Sequence, residues 1–176
     1  MADYLKQGEV IINVAKLKTH TFARMTAAVK NNYGTIPGLT KARYHAKLPD
    51  REGFARMLCD LCDAVSPALS LIDGIIGMES KGPAGGDPKF AGVLIAACNP
   101  HCADLVAAEV IQMDKKRVPT LVEAKKRGYV PDSMAEIKFS GANLASVRTK
   151  FVPPPYVRKM PLLSLVPGPV KTAILK

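Results

Sequence analysis

The chain has 176 residues, 48% of them hydrophobic and 23% charged, with a net charge of +10. This composition excludes a fibrous or disordered chain and suits one folded domain with a core. The positive excess attracts phosphorylated metabolites, nucleic acid or acidic proteins. Lys115-Lys116-Arg117 and Lys125-Lys126-Arg127 hold part of that charge and read as solvated helix ends. Aromatics do not alternate with the lysines, which disfavours a nucleic-acid-tracking surface. The polar first nine residues do not form a secretory signal. No apolar run approaches the roughly 18 residues of a membrane span. With four cysteines and no secretory context, the expectation is reduced thiols in a cytoplasmic protein away from membranes.

Met1 to Glu9 is a weak helix or lead-in. Val10–Val14 is a continuous apolar run, as expected for a strand covered on both faces. It delivers Lys16, Lys18 and His20 just beyond its end. Thr21 to Asn32 has helical composition, closed by Tyr33-Gly34, and Lys41 to Asp50 reads as a basic loop carrying His45. Phe54, Leu58, Leu61, Cys62 and Val65 recur at helical spacing, predicting an amphipathic helix over Arg51–Val65. Ala68–Asp73 is a second strand, and Gly74–Pro88 a long glycine-rich loop of the kind that carries function on a rigid scaffold. Ala91–Ala97 is a third buried strand. Asn99-Pro100 starts a helix as N-cap and first-turn proline, running to about Met113. A further helix runs from Pro119 to Gly128, and Ala135–Phe139 is a fourth strand. From Phe151 the chain is proline-rich and basic, so residues 1–150 form the domain and 151–176 a tail or linker.

Strands alternating with helices predict an α/β fold: a mostly parallel sheet, helices on both faces, in three layers. Such a sheet gathers its strand-to-helix loops on one rim. That rim would hold Lys16 to His20, Asp73 to Asp87, and Asn99 to Asp104.

The order IINVAKLKTH, AVKNNYGTIPG, His45, LSLIDGIIGMESKGPAGGDP and then a strand followed by NPHCAD resembles the prokaryotic domain-of-unknown-function family 362. The resemblance covers about Leu5 to Val147. It implies a setting beside ferredoxin-like iron–sulfur modules, without naming a substrate. Members usually carry a further N-terminal half before the KxKTH strand, so the resemblance also implies an incomplete half of a larger domain. The clustered cysteines of a ferredoxin segment do not occur here, and the proline-rich tail could be the linker toward one.

Lys16, Lys18 and Lys30 could cradle a phosphate or carboxylate as hydrated point charges, although surface lysines beside a strand are common. Matching the family motifs strengthens Lys18 and Lys30 and brings in Asn31 and Asn32. His20 could act as a general base, as could His45, which is otherwise a ligand contact. Asp73 and Glu79 could bind a cation or move a proton. Gly82, with Gly85 and Gly86, could admit a close ligand, but KGPAGG lacks the order of a phosphate-binding loop. Asp104 lies in a first helical turn, where the helix dipole alone favours it, and a ligand contact is the alternative. Cys59-x-x-Cys62 and Cys98-x-x-x-Cys102 suggest a four-thiolate site, yet Cys62 falls on a core face and Cys98 ends a strand. Buried structural thiols are the better reading, and no metal ligands are assigned. The cofactor stays unknown.

Lys18, His20 and Glu79 are therefore the expected catalytic groups, and Lys16, Lys30, Asn31, Asn32, His45, Asp73, Gly82 and Asp104 the expected ligand contacts. The expected function is binding of an anionic small molecule, with or without a metal, at the sheet edge. A ferredoxin-like partner would supply electrons. The alternatives are a nucleic-acid-binding module and a non-catalytic docking module that pairs with a partner or with itself.

Overall fold

A computed structural model of the chain describes residues 10–157. The expected lead-in at Met1 to Glu9 and the tail beyond Val157 lie outside the described residues. The fold is α/β. Strands β1 (Ile12–His20), β2 (Arg24–Thr26), β3 (Leu69–Glu79) and β4 (Asp87–Ala97) form one sheet in the order β2-β1-β3-β4. Helices α1 (Ala28–Asn31), α2 (Gly38–Lys47), α3 (Arg51–Val65), α4 (Pro100–Val110) and α5 (Pro119–Lys126) complete it.

The sheet is mixed rather than mostly parallel. Only β1 and β3 run parallel, while β1–β2 and β3–β4 are antiparallel. In β1 the residues alternate, with Ile12, Val14 and Lys16 exposed and Asn13, Ala15 and Leu17 buried. The described helices therefore cover one face only, against the expected two. α1 and α4 pack on that face, and α3 packs chiefly against α5 behind them. Three layers exist, but the sheet is an outer one. Its open face carries Ile12, Val14, Ile76, Phe90 and Leu94, all exposed.

Two apolar clusters form the core. One joins Leu17, Ile72 and Val93 of the sheet to α4, α5 and Phe151. The other surrounds Phe22, Tyr33, Phe54, Leu58 and Cys62 between α3 and the chain after α1. The amphipathic α3 forms as its spacing predicts. Asp50 caps it by accepting the Gly53 N–H at 2.6 Å, and Ser66 ends it in the left-handed region at φ 47°. Asn99 caps α4 by accepting the amides of His101 and Cys102.

Four segments differ from their sequence patterns, each for a local reason. Thr21 to Asn32 is not one helix. His20 Nδ1 accepts the N–H groups of Phe22 and Ala23, both at 3.1 Å, and Arg24 takes φ 69°. This tight turn sends the chain back as β2 before the short α1. Lys41 to Asp50 is largely helix α2, whose Tyr44, with Leu48 just after its end, packs on the second core cluster. Gly74–Pro88 is mostly an antiparallel hairpin, with strand pairing from Gly74↔Val93 out to Glu79↔Asp87. Its glycines make room for packing: a Cβ on Gly74 would lie 2.8 Å from Val93, and one on Gly77 would lie 2.9 Å from the Phe151 ring. Ala135–Phe139 is not a strand, because a capping box between Ser133 and Glu136 closes a 3-10 turn at Met134–Glu136.

Candidate functional site

Lys18 and His20 belong to β1 itself, which extends beyond the expected strand end through the whole KxKTH motif. His20 is buried. Its Nδ1 already accepts two backbone N–H groups, so its proton sits on Nε2. The atom left for a ligand is thus a donor. Burial holds the imidazole pKa down to about 3, helped by the positive charges of Lys30, His45, Lys18 and Arg51 nearby. At neutral pH the ring is uncharged.

α1 returns along β1 and carries Lys30 toward the same place. Burial, then the charges of Lys18 and Lys41, bring its ammonium down to about 8. Its Nζ lies 5.9 Å from the centre of the Tyr33 ring. Tyr33 meets His45 of α2 edge-on at 5.4 Å, and His45 stacks on Phe54 at 4.6 Å with 19° between the planes. Burial followed by Lys30 lowers the His45 pKa to about 4, and its buried Nδ1 has no hydrogen-bond partner among the described residues. Lys18 and His20 of β1, Lys30 of α1 and His45 of α2 are thereby near enough for their charges to act on one another. Lys41 and Arg51 add to the positive potential there. Among the described residues, none of Lys18, Lys30, Lys41 and Arg51 forms an ion pair with a carboxylate.

The remaining expected site residues are engaged elsewhere. Lys16 Nζ pairs with Asp73 at 2.7 Å on the open face of the sheet, and Asp73 also accepts the Ile75 N–H at the β-bulge. Asn31 donates to Asn13 Oδ1 at 2.8 Å and to the Val14 carbonyl at 3.0 Å, fastening α1 to β1. Asn32 donates to Cys62 Sγ and to the Ala28 carbonyl. Glu79 accepts the Val152 N–H at 2.8 Å, which ties the segment after Lys150 to the end of β3. Gly82 is pressed onto β1, where a Cβ would fall 1.9 Å from the Thr19 carbonyl oxygen.

Asp104 is not on a rim shared with Lys18. The antiparallel β4 brings Ala97 opposite Ser70 at the start of β3, so the chain from Asn99 onward leaves the other edge of the sheet. The Asp104 carboxylate is fully buried and accepts the Ala28 N–H at 2.6 Å and the Val29 N–H at 3.3 Å. It is the cap that the short α1 lacks in its own sequence. Burial pushes its pKa up to about 7 against the pull of those two amides.

The expectation of buried thiols holds for Cys59 and Cys62 but not for Cys98, which is exposed, or Cys102, which is half-buried at the start of α4. Cys59 and Cys62 are buried in α3, and burial pushes both thiols up to about 12. Among the described residues no three His, Cys, Asp or Glu side chains are placed to hold a metal ion.

Arg24 and Arg51 were not singled out by the sequence. Each is buried, Arg24 donating to the carbonyls of Pro154 and Pro155, Arg51 to those of Thr21 and Val157. An arginine beside an apolar run and one opening a helix are ordinary sequence features, and only the returning 151–157 segment covers them.

Residues 1–109 match a family described as a domain of unknown function, DUF362. Over 133 residues the chain is 37% identical to the thylakoid-associated protein sll1697 of Synechocystis sp.. That match takes in 75% of the chain but only 41% of the relative's length. No solved structure matches the chain. Among the described residues no helix is long and apolar enough to cross a membrane.

Proposed function

The chain belongs to the DUF362 family, and we propose that it binds an anionic small molecule through Lys18, His20, Lys30 and His45. One observation carries this reading. Lys30, Lys18 and Arg51 direct positive charge at a buried, neutral His20, Lys41 adds to the charge around Lys30, and among the described residues neither Lys18 nor Lys30 forms an ion pair with a carboxylate. An anion would relieve that mutual repulsion, with the His20 Nε2–H as a hydrogen-bond donor to it. A metal fits poorly in such a cationic place. The redox setting rests on the family resemblance, and because Cys59 and Cys62 are core residues while Cys98 and Cys102 lie apart from them in the chain, after β4, the electron carrier would be a separate ferredoxin-like module.

Titration calorimetry with citrate tests the reading. The parent should bind citrate, and Lys18→Met with Lys30→Met should abolish binding without lowering the melting temperature. Equal binding by parent and double variant would remove the rim as the site.

A second reading, a docking module, is favoured by the open apolar face of β1, β3 and β4. The Lys16–Asp73 pair at its centre offers both charges, as a self-complementary contact with a second copy requires. Cytoplasmic residence belongs to the proposal. The thylakoid association in the relative's name sets the competing outcome, sedimentation of the basic chain with anionic vesicles.

A further inference from the structure

We propose a second anion site in the cavity between α3, α5 and residues 151–157, built for a phosphate-bearing small molecule. The cavity holds about 480 Å³ and is lined by Arg24, Arg51, Lys116, Arg117, Lys126 and Tyr156. Arg24 is 5% exposed and Arg51 9%. Among the described residues neither guanidinium meets a carboxylate within ion-pair distance. Arg24 donates to the Pro154 carbonyl at 2.7 Å, Arg51 donates to the Thr21 carbonyl at 3.1 Å, and Arg51 Nε is buried without a partner. Two buried cations placed near each other, satisfied only by neutral carbonyls, are costly unless an anion joins them.

The acidic groups nearby do not cancel this charge. Glu123 is held by Arg127 at 2.8 Å and Asp114 pairs with Arg117 at 3.9 Å, which leaves Glu52 as the counterweight to Arg24, Arg51, Lys116 and Lys126. The cavity is also bordered by Arg51 and Pro119, the first residues of α3 and α5, where helix dipoles favour negative charge.

Planar guanidinium forks match phosphate oxygens two at a time, and a phosphate carries enough charge to answer two of them. The cavity is larger than a bare ion needs and falls in the ordinary range for small-molecule sites, about 300–1,000 Å³. Pro119, Val122 and Pro153 supply an apolar wall for the organic part of the molecule. Tyr156, with the Arg51 guanidinium 4.3 Å from its ring centre, closes the outer side. Lys18 and Lys30 do not line this cavity; Arg51 lends charge to both places, so Arg117 and Lys126 are the residues that distinguish this site from the rim.

The test is titration calorimetry of the full chain with adenosine monophosphate and with pyrophosphate. The exposed cations Arg117 and Lys126 allow a variant that leaves the buried pair in place. Arg117→Gln with Lys126→Gln should weaken both probes by about tenfold or more, the worth of one lost charge-assisted bond, at an unchanged melting temperature. Lys18→Met with Lys30→Met should keep the binding step that Arg117→Gln with Lys126→Gln weakens, whether or not the rim also takes up the probe. The proposal is overturned if the parent binds neither probe at millimolar concentration, or if the Arg117 and Lys126 variant binds both undiminished. Loss confined to the Lys18 and Lys30 variant would also overturn it and assign phosphate to the rim.

Discussion

His20 and His45 show how single buried groups set the response to acid. An exposed imidazole titrates near 6.5, whereas burial and cationic neighbours hold His20 near 3 and His45 near 4. The unfolded chain therefore binds more protons than the fold as pH drops below about 6.5. Stability that these groups contribute is present above that value and is lost as pH falls from there through about 4 for His45 and about 3 for His20. Asp104 works in the opposite direction. Its pKa is raised to about 7, so its contribution is complete below the ordinary carboxylate range and is lost as pH rises through 7. With two imidazoles against one carboxyl, urea denaturation should give lower stability at pH 5 than at pH 7.5. His20→Asn, which keeps an acceptor near the Phe22 and Ala23 amides, should narrow that difference. An unchanged difference would remove His20 as its source. Asp104→Ala should cost about 2 kcal/mol, because it leaves the buried amides of Ala28 and Val29 without their acceptor. A loss too small to measure would mean those amides find another partner.

At the scale of elements, close packing explains why some segments were legible in the sequence and others were not. α3 was legible because Phe54, Leu58, Leu61 and Val65 repeat on one face. α4 was legible from Asn99-Pro100. The far halves of β3 and β4 were hidden by glycines, which read as loop but leave space for Val93, Phe151 and the β1 backbone. Likewise, β2 was hidden by the His20 side chain, whose capture of two amides ends any helix from Thr21. In the site, the KxKTH and KN motifs pointed to Lys18, His20 and Lys30, and the structure couples these three with His45. Alternation along β1 was the missed signal for Lys16, since it places that side chain with Val14 on the open face. Arg24 and Arg51 left no local pattern at all, because their burial depends on a segment more than 100 residues later. The glycine argument is testable at Gly82. A Cβ there would overlap the Thr19 carbonyl, and the neighbouring atom is backbone rather than a flexible side chain. Gly82→Ala should lower stability by about 1–3 kcal/mol, the usual range for forced overpacking. Gly85→Ala is the control for strain without overlap, since Gly85 has φ 81° and open space around it. If thermal melts rank Gly85→Ala as the more damaging, the loop is not held by its contact with β1.

At the scale of the whole molecule, the described residues place helices on one side of the sheet and an exposed apolar surface on the other. Phe90 is 70% exposed, and Ile12, Val14 and Leu94 are each exposed by more than half. Apolar surface gathered on one face normally marks a contact with another molecule, and burying it would release water at roughly 25 cal/mol per Å² before the costs of association. A net charge of +10 opposes the meeting of two copies over long range. Around the face itself, however, Lys16 lies beside Asp73, so a twofold contact could set the lysine of one copy against the aspartate of the other. Salt screens the long-range repulsion over about 10 Å at 0.1 M and leaves the short-range apolar contact. Association should therefore strengthen as salt is added, the reverse of what a contact held mainly by opposite charges would do. Sedimentation velocity across a concentration series, at low and moderate salt, is the measurement. The expected outcome is a concentration-dependent dimer favoured by salt, abolished by Phe90→Lys with Leu94→Lys while the monomer keeps its melting temperature. A monomer at every concentration and salt would remove the second copy as occupant of this face, and a dimer indifferent to both lysines would place the contact elsewhere.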